Sequence, residues 1–593
     1  MKILIIRFFL LMTFVSGFIL NRNNTLAQQS IHQQQQEQFG KLNFSADRQW
    51  DSIWKFKPAP VTKHSGCELK KMVFGYHPYW MGSSYLNYQW NLISDLCYFS
   101  YEVDASSGNP TTTHDWLTAT VIDSALANGV RIHLCVTLFS GHATFFSNAL
   151  SKQTLISNII SLLQQRNATG VNMDVEALPS SQALAYNDFL VDLSNQIHQA
   201  IPGSIVSIAA PAVDWNGELD IPRLSQYIDY FMIMGYDYYW DGSTEAGPVG
   251  GLFPMTAGYN YAISRTVSWY QSQGAPSQKL LLGLPYYGRD WPTEGSLAPS
   301  TTISSGTAYT YRTIRNNSSG NYSPSNRHWE SNSYTPYFAY NNGNWHQCFV
   351  DSPYSLGKRY DLANQRSLAG IGIWALGYDD GYTELWDLIH DRFTDCAQSI
   401  CQDTIFDSGG PAFNYYNNES YTTTITNVNS DPIQIDFPLF NLESGYDSLW
   451  IYEGSDTLAT FVGGYSGNNA PLPMNAQGGK FTLKFHSDGA TTANGWMAIW
   501  ACPWDGFNES FVSTGKYMSV FPNPCKSIIN VHLAAIPPKK AHFEILDLTG
   551  RCVFYKAAPQ LDNRLLLPAL SKGIYLLNLQ DDGLLYSCKF QIE

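Results

Sequence analysis

Eight short apolar runs alternate with amphipathic segments between residues 72 and 376, and this alternation constrains the fold more than any other feature. Strands that are apolar almost throughout are buried on both faces, and parallel strands need helical crossovers between them. Two intervening segments, 115–128 and 181–198, have helix-capping residues at an end. The pattern predicts an α/β fold, a (β/α)8 barrel over residues 66–395, with its active site at the carboxyl ends of the strands. The predicted strands are residues 72–77, 96–101, 130–138, 171–176, 205–210, 228–236, 280–285 and 371–376.

The chain of 593 residues is too long for a single core, so several domains are expected. Between the seventh and eighth strands, residues from about 292 to 367 form an insertion rich in Ser, Asn, Gly and Tyr, with short strand-like pieces. We expect this insertion to form a wall above the mouth of the barrel. Residues 403–503 and 516–593 contain short alternating strands without helical patterns, which predicts two all-β sandwich domains.

The first 27 residues have the pattern of a signal peptide. Lys2 and Arg7 precede an apolar run over residues 8–20, which is too short to span a bilayer comfortably, and a small-residue cleavage site follows at residues 25–27. Residues 28–65 begin with a polar, Gln-rich stretch, which predicts a disordered leader. Since no later segment is long and apolar enough to span a membrane, we expect an exported protein whose mature chain has no transmembrane segment.

The charge of the chain narrows the classes of partner, and its cysteines bear on disulfide formation. A net charge of −14 and a pI near 5.4 argue against nucleic acid or an anionic membrane as the main partner. Aromatic residues make up 14% of the chain; their flat faces suit sugar rings, although many of them must fill the cores. The ten cysteines lack metal-ligand spacing, and an exported protein can form disulfides, so we predict a pair between Cys401 and Cys502.

The predicted fourth strand reads TGVNMDVE at residues 169–176. A side-chain period of two puts Asn172, Asp174 and Glu176 on one face, at the end of the strand where barrel chemistry occurs. Two neighbouring carboxyl groups raise the pKa of one of them, so that one can stay protonated near neutrality and act as a general acid. The alternative for these residues taken alone is a structural role, as a helix cap and a salt-bridge partner.

The barrel resembles glycoside hydrolase family 18, the chitinase family, over residues 72–393. The signature of that family on the fourth strand is Asp-x-x-Asp-x-Asp-x-Glu, and Asp174 and Glu176 match its last two acids. Thr169 stands where the signature begins with Asp, and Asn172 replaces its middle Asp. Bacterial members of the spore-cortex type are similar in having Gly-x-Asn-x-Asp-x-Glu, so the resemblance implies activity despite Asn172.

Other strand ends agree with this resemblance. The sequence Met-Gly-Tyr-Asp at residues 234–237 is similar to the family's Met-x-Tyr-Asp after the sixth strand, and Trp374 matches the Trp that ends the eighth strand. The insertion fits the family's small α+β insertion after strand seven, whereas the expected Ser-x-Gly-Gly is absent at residues 137–141. Each aromatic residue that flanks a strand end could also simply pack the core. The substrate-binding residues that we predict are Trp374, Asp237, Asn172, Met234, Tyr76, Trp215 and Tyr238.

The resemblance implies a substrate-assisted mechanism, which is an exception to the two-carboxylate scheme. Glu176 would donate a proton to the glycosidic oxygen while the 2-acetamido oxygen of the sugar attacks the anomeric carbon. Asp174 and Tyr236 would hold that acetamide, and catalysis would need no cofactor. The implied substrate is a polymer of β-1,4-linked N-acetylglucosamine, most of all chitin. Cleavage of peptidoglycan or N-glycans, and sugar binding without catalysis, are the alternatives.

Residues 403–503 resemble a CUB domain. The motifs that carry this resemblance are YDSLWIYEG at residues 446–454 and FHSDG at residues 485–489. In calcium-binding members, loop acids hold the ion, and oxygen ligands suit Ca²⁺ chemically. Because one of the loops is shorter than usual, solvated acids without an ion are the alternative. The residues that match the calcium ligands are Glu443, Asp447 and Asp488.

Residues 516–593 resemble the C-terminal sorting domain of the bacterial type IX secretion system. The matching motifs are VFPNP at residues 520–524, ILDLTG at residues 545–550 and KGIY at residues 572–575. The resemblance implies that the type IX machinery carries the protein through the outer membrane, with release or surface attachment afterwards.

Overall fold

The computed structural model describes residues 29–42, 44, 46–59, 66–397, 402–427, 429–502, 518–521, 525–533, 541–547, 551–557, 559, 562–581 and 584–592. The predicted signal peptide, residues 1–27, and the predicted disulfide partner Cys401 lie outside these residues. Within the described part of the chain, no helix is both long enough and apolar enough to cross a bilayer.

Eight parallel strands close into a barrel, which confirms the predicted (β/α)8 fold. The first strand pairs with the eighth on one side and with the second on the other, and the remaining strands pair in chain order. Nearly every strand residue is buried, because helices cover the outside of the barrel and side chains fill its interior. The strands are β1 (Met72–Pro78), β2 (Asp95–Val103), β3 (Arg131–Leu138), β4 (Gly170–Val175), β5 (Ile205–Ala210), β6 (Tyr230–Met234), β7 (Leu280–Pro285) and β8 (Gly370–Trp374).

Helices on the outside of the barrel connect the strands. The helix predicted over 115–128 begins only at Thr120, because Asp115 has a φ of 63° and Ala119 has an extended backbone, neither of which an α-helix allows. The helix predicted over 181–198 runs from Ala183 to Ala200. The α-helices between the barrel's first and last residues are Thr120–Ala127, His142–Ser147, Ala149–Gln165, Ala183–Ala200, Ile221–Leu224, Ile263–Ser272, Tyr311–Asn316, Pro353–Gln365 and Glu384–Phe393.

The predicted insertion after β7 is a five-stranded antiparallel sheet with one short α-helix, Tyr311–Asn316, and one 3₁₀ turn, Pro324–Asn326. Its first strand begins at Tyr287, directly after β7. The side chains of Tyr287 and Arg289 contact Asp237, which follows β6, so the sheet stands at the carboxyl end of the barrel. The strands of the insertion are Tyr287–Thr293, Thr307–Thr310, Arg327–Glu330, Thr335–Asn342 and Asn344–Phe349.

A disulfide between Cys67 and Cys396 joins the two ends of the barrel domain. Cys67 precedes β1 and Cys396 follows the last barrel helix, at a sequence separation of 329. Sequence spacing gives no means of pairing cysteines so far apart, and this bridge was not among our predictions. Cys502 is also disulfide-bonded, and its pairing with Cys401 stays a prediction.

Two all-β units follow the barrel, as predicted. The first consists of two four-stranded antiparallel sheets around a shared core: Gln402–Phe406, Ile433–Asn441, Met474–Ala476 and Gly495–Ala501 in one, and Ser420–Thr426, Ser448–Glu453, Thr460–Tyr465 and Lys480–His486 in the other. The second has a three-stranded and a four-stranded antiparallel sheet: Met518–Phe521, Ile528–Leu533 and Asp562–Leu566, and His542–Asp547, Cys552–Ala557, Gly573–Asp581 and Leu584–Ile592.

The prediction of a disordered leader over residues 28–65 is wrong for the part that the structure describes. Two helices form there: α1 (Ile31–Gly40), which the Ser30 side chain caps, and α2 (Asp47–Trp54). The Gln-rich composition offers too few apolar residues for an independent core, and this was the basis of the prediction. The barrel supplies the missing partner, since Ile31, Phe39 and Trp50 are all buried against it. Residues 29–59 are called the N-terminal segment below.

Candidate active site

Asp174 and Glu176 lie at the carboxyl end of β4 and point into the same space. This space is called the hollow below, and Tyr76, Tyr236 and Trp374 lie around it. Asp174 is fully buried and Glu176 is 8% exposed. Alternation along the strand puts both on the same side, and a single atom, Nδ1 of His32, lies 2.8 Å from Asp174 Oδ2 and 3.2 Å from Glu176 Oε1. The structure therefore brings the two predicted acids together.

The environment of Glu176 favours its protonated form. Burial and the negative charge of Asp174 raise the pKa of Glu176 to about 7, although hydrogen bonds from His32 and Ser30 act in the opposite direction. At neutral pH a substantial fraction of Glu176 therefore carries a proton. A carboxyl group in this state can donate a proton to a substrate and take one back from water.

Asn172 is held by hydrogen bonds to residues of two other strands, β1 and β5. Its Oδ1 accepts a hydrogen bond of 2.9 Å from the Tyr76 hydroxyl, and its Nδ2 donates one of 2.9 Å to Ser207 Oγ. The amide is therefore bound to Tyr76 on β1 and to Ser207 on β5. Oδ1 of Asp174 has no hydrogen-bond donor among the described residues. That buried oxygen is available to a polar group of a ligand.

Aromatic and polar residues from three other strand ends complete the hollow. Trp374, the last residue of β8, is fully buried and presents its ring face to the hollow. The hydroxyl of Tyr236, just after β6, faces the acids from the opposite side, within 2.8 Å of His32 Nε2. Asp237 is fixed by hydrogen bonds from Tyr287 (2.6 Å) and Arg289 (3.3 Å). Trp374, Tyr236 and Tyr76 thus lie around His32, which contacts both acids, and their roles in substrate binding stay predictions.

Three of the predicted binding residues lie elsewhere or take no described part in the hollow. The Tyr238 hydroxyl donates a 2.7 Å hydrogen bond to Thr266 on the helix Ile263–Ser272, which directs its ring away from the acids. Trp215 is 60% exposed and packs on the ring of Tyr261. Met234 is half-buried at the end of β6. Position relative to a strand end identifies such residues, but the direction of a loop side chain depends on tertiary contacts.

The residue at the centre of the hollow is His32 of α1, which is not among the predicted site residues. Its ring packs against the ring of Trp374 in a tilted arrangement, with centroids 3.7 Å apart and planes 31° apart. Burial lowers the pKa of His32, but the carboxylates of Asp174 and Glu176 outweigh burial and raise that pKa to about 10. The sequence signal for a packed helix at this position was the spacing of Ile31, Gln35 and Phe39. Residues at i, i+4 and i+8 share one helix face, and that face is buried here.

A third acid near the pair was also missed. Glu218 is buried, and burial together with the charges of Asp214 and Glu176 raises the pKa of Glu218 to about 7. It lies in the loop after β5, where Asn216 donates a 3.3 Å hydrogen bond to its carboxylate. No motif marks this loop acid in the sequence.

Comparison with known proteins agrees with this geometry. The model of the family "Glycosyl hydrolases family 18" matches residues 74–379, just over half of the chain. The chain belongs to glycosyl hydrolase family 18. The family's range includes the whole acid strand and all eight barrel strands except the first two residues of β1. A CUB domain matches residues 398–500, and a secretion system C-terminal sorting domain matches residues 519–593.

Similar proteins come from several bacteria. A provisionally assigned sporulation-specific glycosylase of Bacillus subtilis is 28% identical over 40% of this chain and 54% of its own length. A cortical fragment-lytic enzyme of Bacillus anthracis is 24% identical over 50% of this chain and 68% of its own length. Chitinase C of Streptomyces lividans is 28% identical over 37% of this chain and 35% of its own length. This chain thus spans between about a third and two thirds of the relatives named here.

Proposed function

We propose that this family 18 protein hydrolyses polymers of β-1,4-linked N-acetylglucosamine, with chitin as the preferred substrate. The observation that carries the proposal is the acid pair: Glu176 is protonatable near neutrality, and Asp174 points into the same hollow over the ring of Trp374. A flat indole face suits the apolar face of a sugar ring. The acid above such a face is well placed to protonate a glycosidic oxygen.

The proposed mechanism uses the substrate's own acetamido group as the nucleophile. Glu176 gives its proton to the glycosidic oxygen as the bond from that oxygen to the anomeric carbon breaks. The acetamido oxygen forms a new bond to the anomeric carbon, giving a cyclic cation that the charge of Asp174 stabilises. Tyr236 orients the acetamide through its hydroxyl. Glu176 then removes a proton from water, whose oxygen attacks the anomeric carbon. The bond from the acetamido oxygen to that carbon breaks, and the acetamido group is restored.

Two alternatives use the same site. Hydrolysis of peptidoglycan or N-glycans is supported by the similarity to a cortical fragment-lytic enzyme, and it would differ only in the shape of the outer cleft. Sugar binding without hydrolysis would leave unexplained why two acids are buried together at a cost in desolvation.

An assay with three substrates tests the proposal. Because the N-terminal segment fills the hollow, the protein is assayed whole and after a cut introduced between Ala59 and Gly66. We expect reducing ends to appear faster from colloidal chitin than from cell-wall sacculi or an N-glycosylated protein. A faster release from sacculi would favour the peptidoglycan alternative, and binding to chitin without release from any substrate would favour the non-catalytic one.

We also propose a calcium site in the CUB domain. One oxygen each of Glu443, Asp447 and Asp488 lies within 4.8 Å of the others, which is close enough for a shared ion. Oδ1 of Asp447 accepts a 2.8 Å hydrogen bond from the Asp488 backbone, which fixes two of the acids relative to each other. Oε2 of Glu443 is buried without a hydrogen-bond donor among the described residues. The donor set therefore fits Ca²⁺.

Calcium is expected to raise the thermal stability of the whole protein in its CUB transition. At about 100 times the dissociation constant, an ion that binds only the folded state adds about 2.7 kcal/mol. Differential scanning calorimetry with and without Ca²⁺ measures this effect, and Glu443→Gln is expected to remove it. An unchanged Tm of the native protein at millimolar Ca²⁺ would show that these are solvated loop acids.

We further propose that the protein is secreted or held at the outer surface. The support is the match of residues 519–593 to a secretion system sorting domain, together with the signal-peptide pattern of residues 1–27. The type IX secretion machinery is then the partner of the C-terminal domain.

A further inference from the structure

His32 lies where the proposed mechanism needs the reacting sugar. Its ring covers the face of Trp374, and its two ring nitrogens reach Asp174, Glu176 and the Tyr236 hydroxyl. The distance between the His32 and Trp374 centroids, 3.7 Å, is van der Waals contact and leaves no space for another ring. A sugar and His32 therefore cannot occupy the hollow together.

The positive charge of His32 also matches the charge of the reaction intermediate that the site is proposed to stabilise. With a pKa raised to about 10, its imidazole is a cation at neutral pH. The proposed reaction passes through a cyclic sugar cation at the same place, and a site that stabilises a reacting state binds molecules that resemble it. The imidazolium of His32, a flat cation in contact with Asp174 and Glu176, resembles that sugar cation.

Other residues of α1 satisfy the polar groups around the hollow. Oε1 of Gln35 accepts hydrogen bonds from Trp374 Nε1 (3.0 Å) and the Tyr378 hydroxyl (2.7 Å). The backbone N–H of Ile31 donates a 3.0 Å hydrogen bond to Asp237. The helix thus meets the hollow with a donor, an acceptor and a cation, each opposite a complementary group.

The segment is anchored outside the hollow as well. Phe39 stacks on Trp80 with centroids 4.9 Å apart and planes 21° apart. In α2, the Asp51 carboxylate accepts hydrogen bonds from the Ser83 backbone (2.8 Å) and hydroxyl (2.7 Å), and Trp54 donates to the Trp80 carbonyl (2.7 Å). Both helices therefore hold the turn Tyr79–Asn87, which follows β1.

We propose that the N-terminal segment is an inhibitory latch: it keeps the enzyme inactive by occupying the sugar-binding hollow, and activity requires its removal. The inference rests on the proposed function, since it names the hollow as the sugar site. The disulfide of Cys67 begins eight residues after Ala59, so a cut between Ala59 and Gly66 would free the latch while the barrel ends stay joined to each other. Proteolysis after export is the activating step that this layout suits.

The first test compares three forms of the whole protein: native, His32→Ala and Gln38→Ala. Gln38 is exposed on the same helix, so its variant is the matched control. Loss of charge-assisted hydrogen bonds to His32 is expected to raise the initial rate on a fluorogenic chitooligosaccharide by about 10- to 100-fold, with Gln38→Ala unchanged. A cut between Ala59 and Gly66, followed by removal of the released peptide, is expected to raise the rate at least as much. Equal rates for the native, His32→Ala and cut proteins, with hydrolysis present, would overturn the proposal.

The second test does not depend on hydrolysis. A synthetic peptide of residues 29–59 is titrated into the cut, washed protein by calorimetry, alone and with chitotriose present. We expect the peptide to bind, chitotriose to compete with it, and the His32→Ala peptide to bind about 10- to 100-fold more weakly. Failure of the peptide to bind would overturn the latch. Competition with sugar in a protein that hydrolyses no glycan would support the latch and refute the proposed hydrolytic function, so the two failures are distinguishable.

Discussion

Replacing Glu176 with Gln in the protein cut between Ala59 and Gly66 is expected to lower kcat on a chitooligosaccharide by about 10²- to 10⁴-fold, because the amide has no acidic proton to transfer to the glycosidic oxygen. The side chain keeps its size and one hydrogen-bond acceptor, so folding is expected to be preserved. Steady-state kinetics with the native and mutant proteins measures the effect, and calorimetry checks that the barrel still unfolds cooperatively.

The matched control for this prediction is Glu419→Gln. Glu419 is also a buried acid whose pKa burial raises to about 7, but it lies in the CUB domain, where it accepts a hydrogen bond from Ser408. Removing its charge is expected to leave kcat within about twofold. Glu419 lies outside the hollow, so its replacement acts on stability and not on the reaction. Equal activity of Glu176→Gln and the native protein would refute the role of Glu176 as the acid.

Replacing Asp174 with Asn is expected to lower kcat by about 10²- to 10³-fold and to move the pH profile. The loss in rate follows from removing a charge that stabilises the cationic intermediate. The shift follows from the pKa of Glu176, which the negative charge of Asp174 raises. Without that charge Glu176 ionises at lower pH, and the alkaline limb of the profile, where the acid loses its proton, is expected to lie at lower pH.

The kinetic pH profile distinguishes this role from a purely structural one. A structural loss would lower the rate by the same factor at every pH and leave the midpoint of the alkaline limb in place. An unchanged midpoint in Asp174→Asn, measured after the latch has been cut away, would therefore contradict the assigned coupling between the two acids. His32 must be absent from this measurement, because its hydrogen bond lowers the pKa of Glu176.

The strand pattern made the barrel predictable from the sequence. Runs such as residues 205–210 are apolar except for Ser207, and β5 forms there with the same bounds, Ile205–Ala210. Such runs need burial on both faces, which few architectures provide. Helix starts were less predictable. The helix predicted from residue 115 begins at Thr120, because Asp115 has a positive φ and Ala119 is extended, and sequence patterning does not report backbone angles.

Within the hollow, residues on strands were predictable and residues on loops were not. The period of two in β4 fixes the common direction of Asp174 and Glu176. Trp215 and Tyr238 follow strand ends in the same way as Tyr236, but one turns outward onto Tyr261 and the other toward a helix. A loop has no period, so the direction of each side chain depends on the neighbours that it meets.

The sequence alone determined the barrel, the order of its domains and the acid strand, because these depend on local periodicity and on motifs that lie close together in the chain. Only the tertiary structure decided what fills the hollow. His32 and Asp174 are 142 positions apart, and the segment that carries His32 lacks enough apolar residues to fold by itself. Its helix forms because the barrel supplies carboxylates and aromatic faces, and a sequence read in order does not reveal that complementarity.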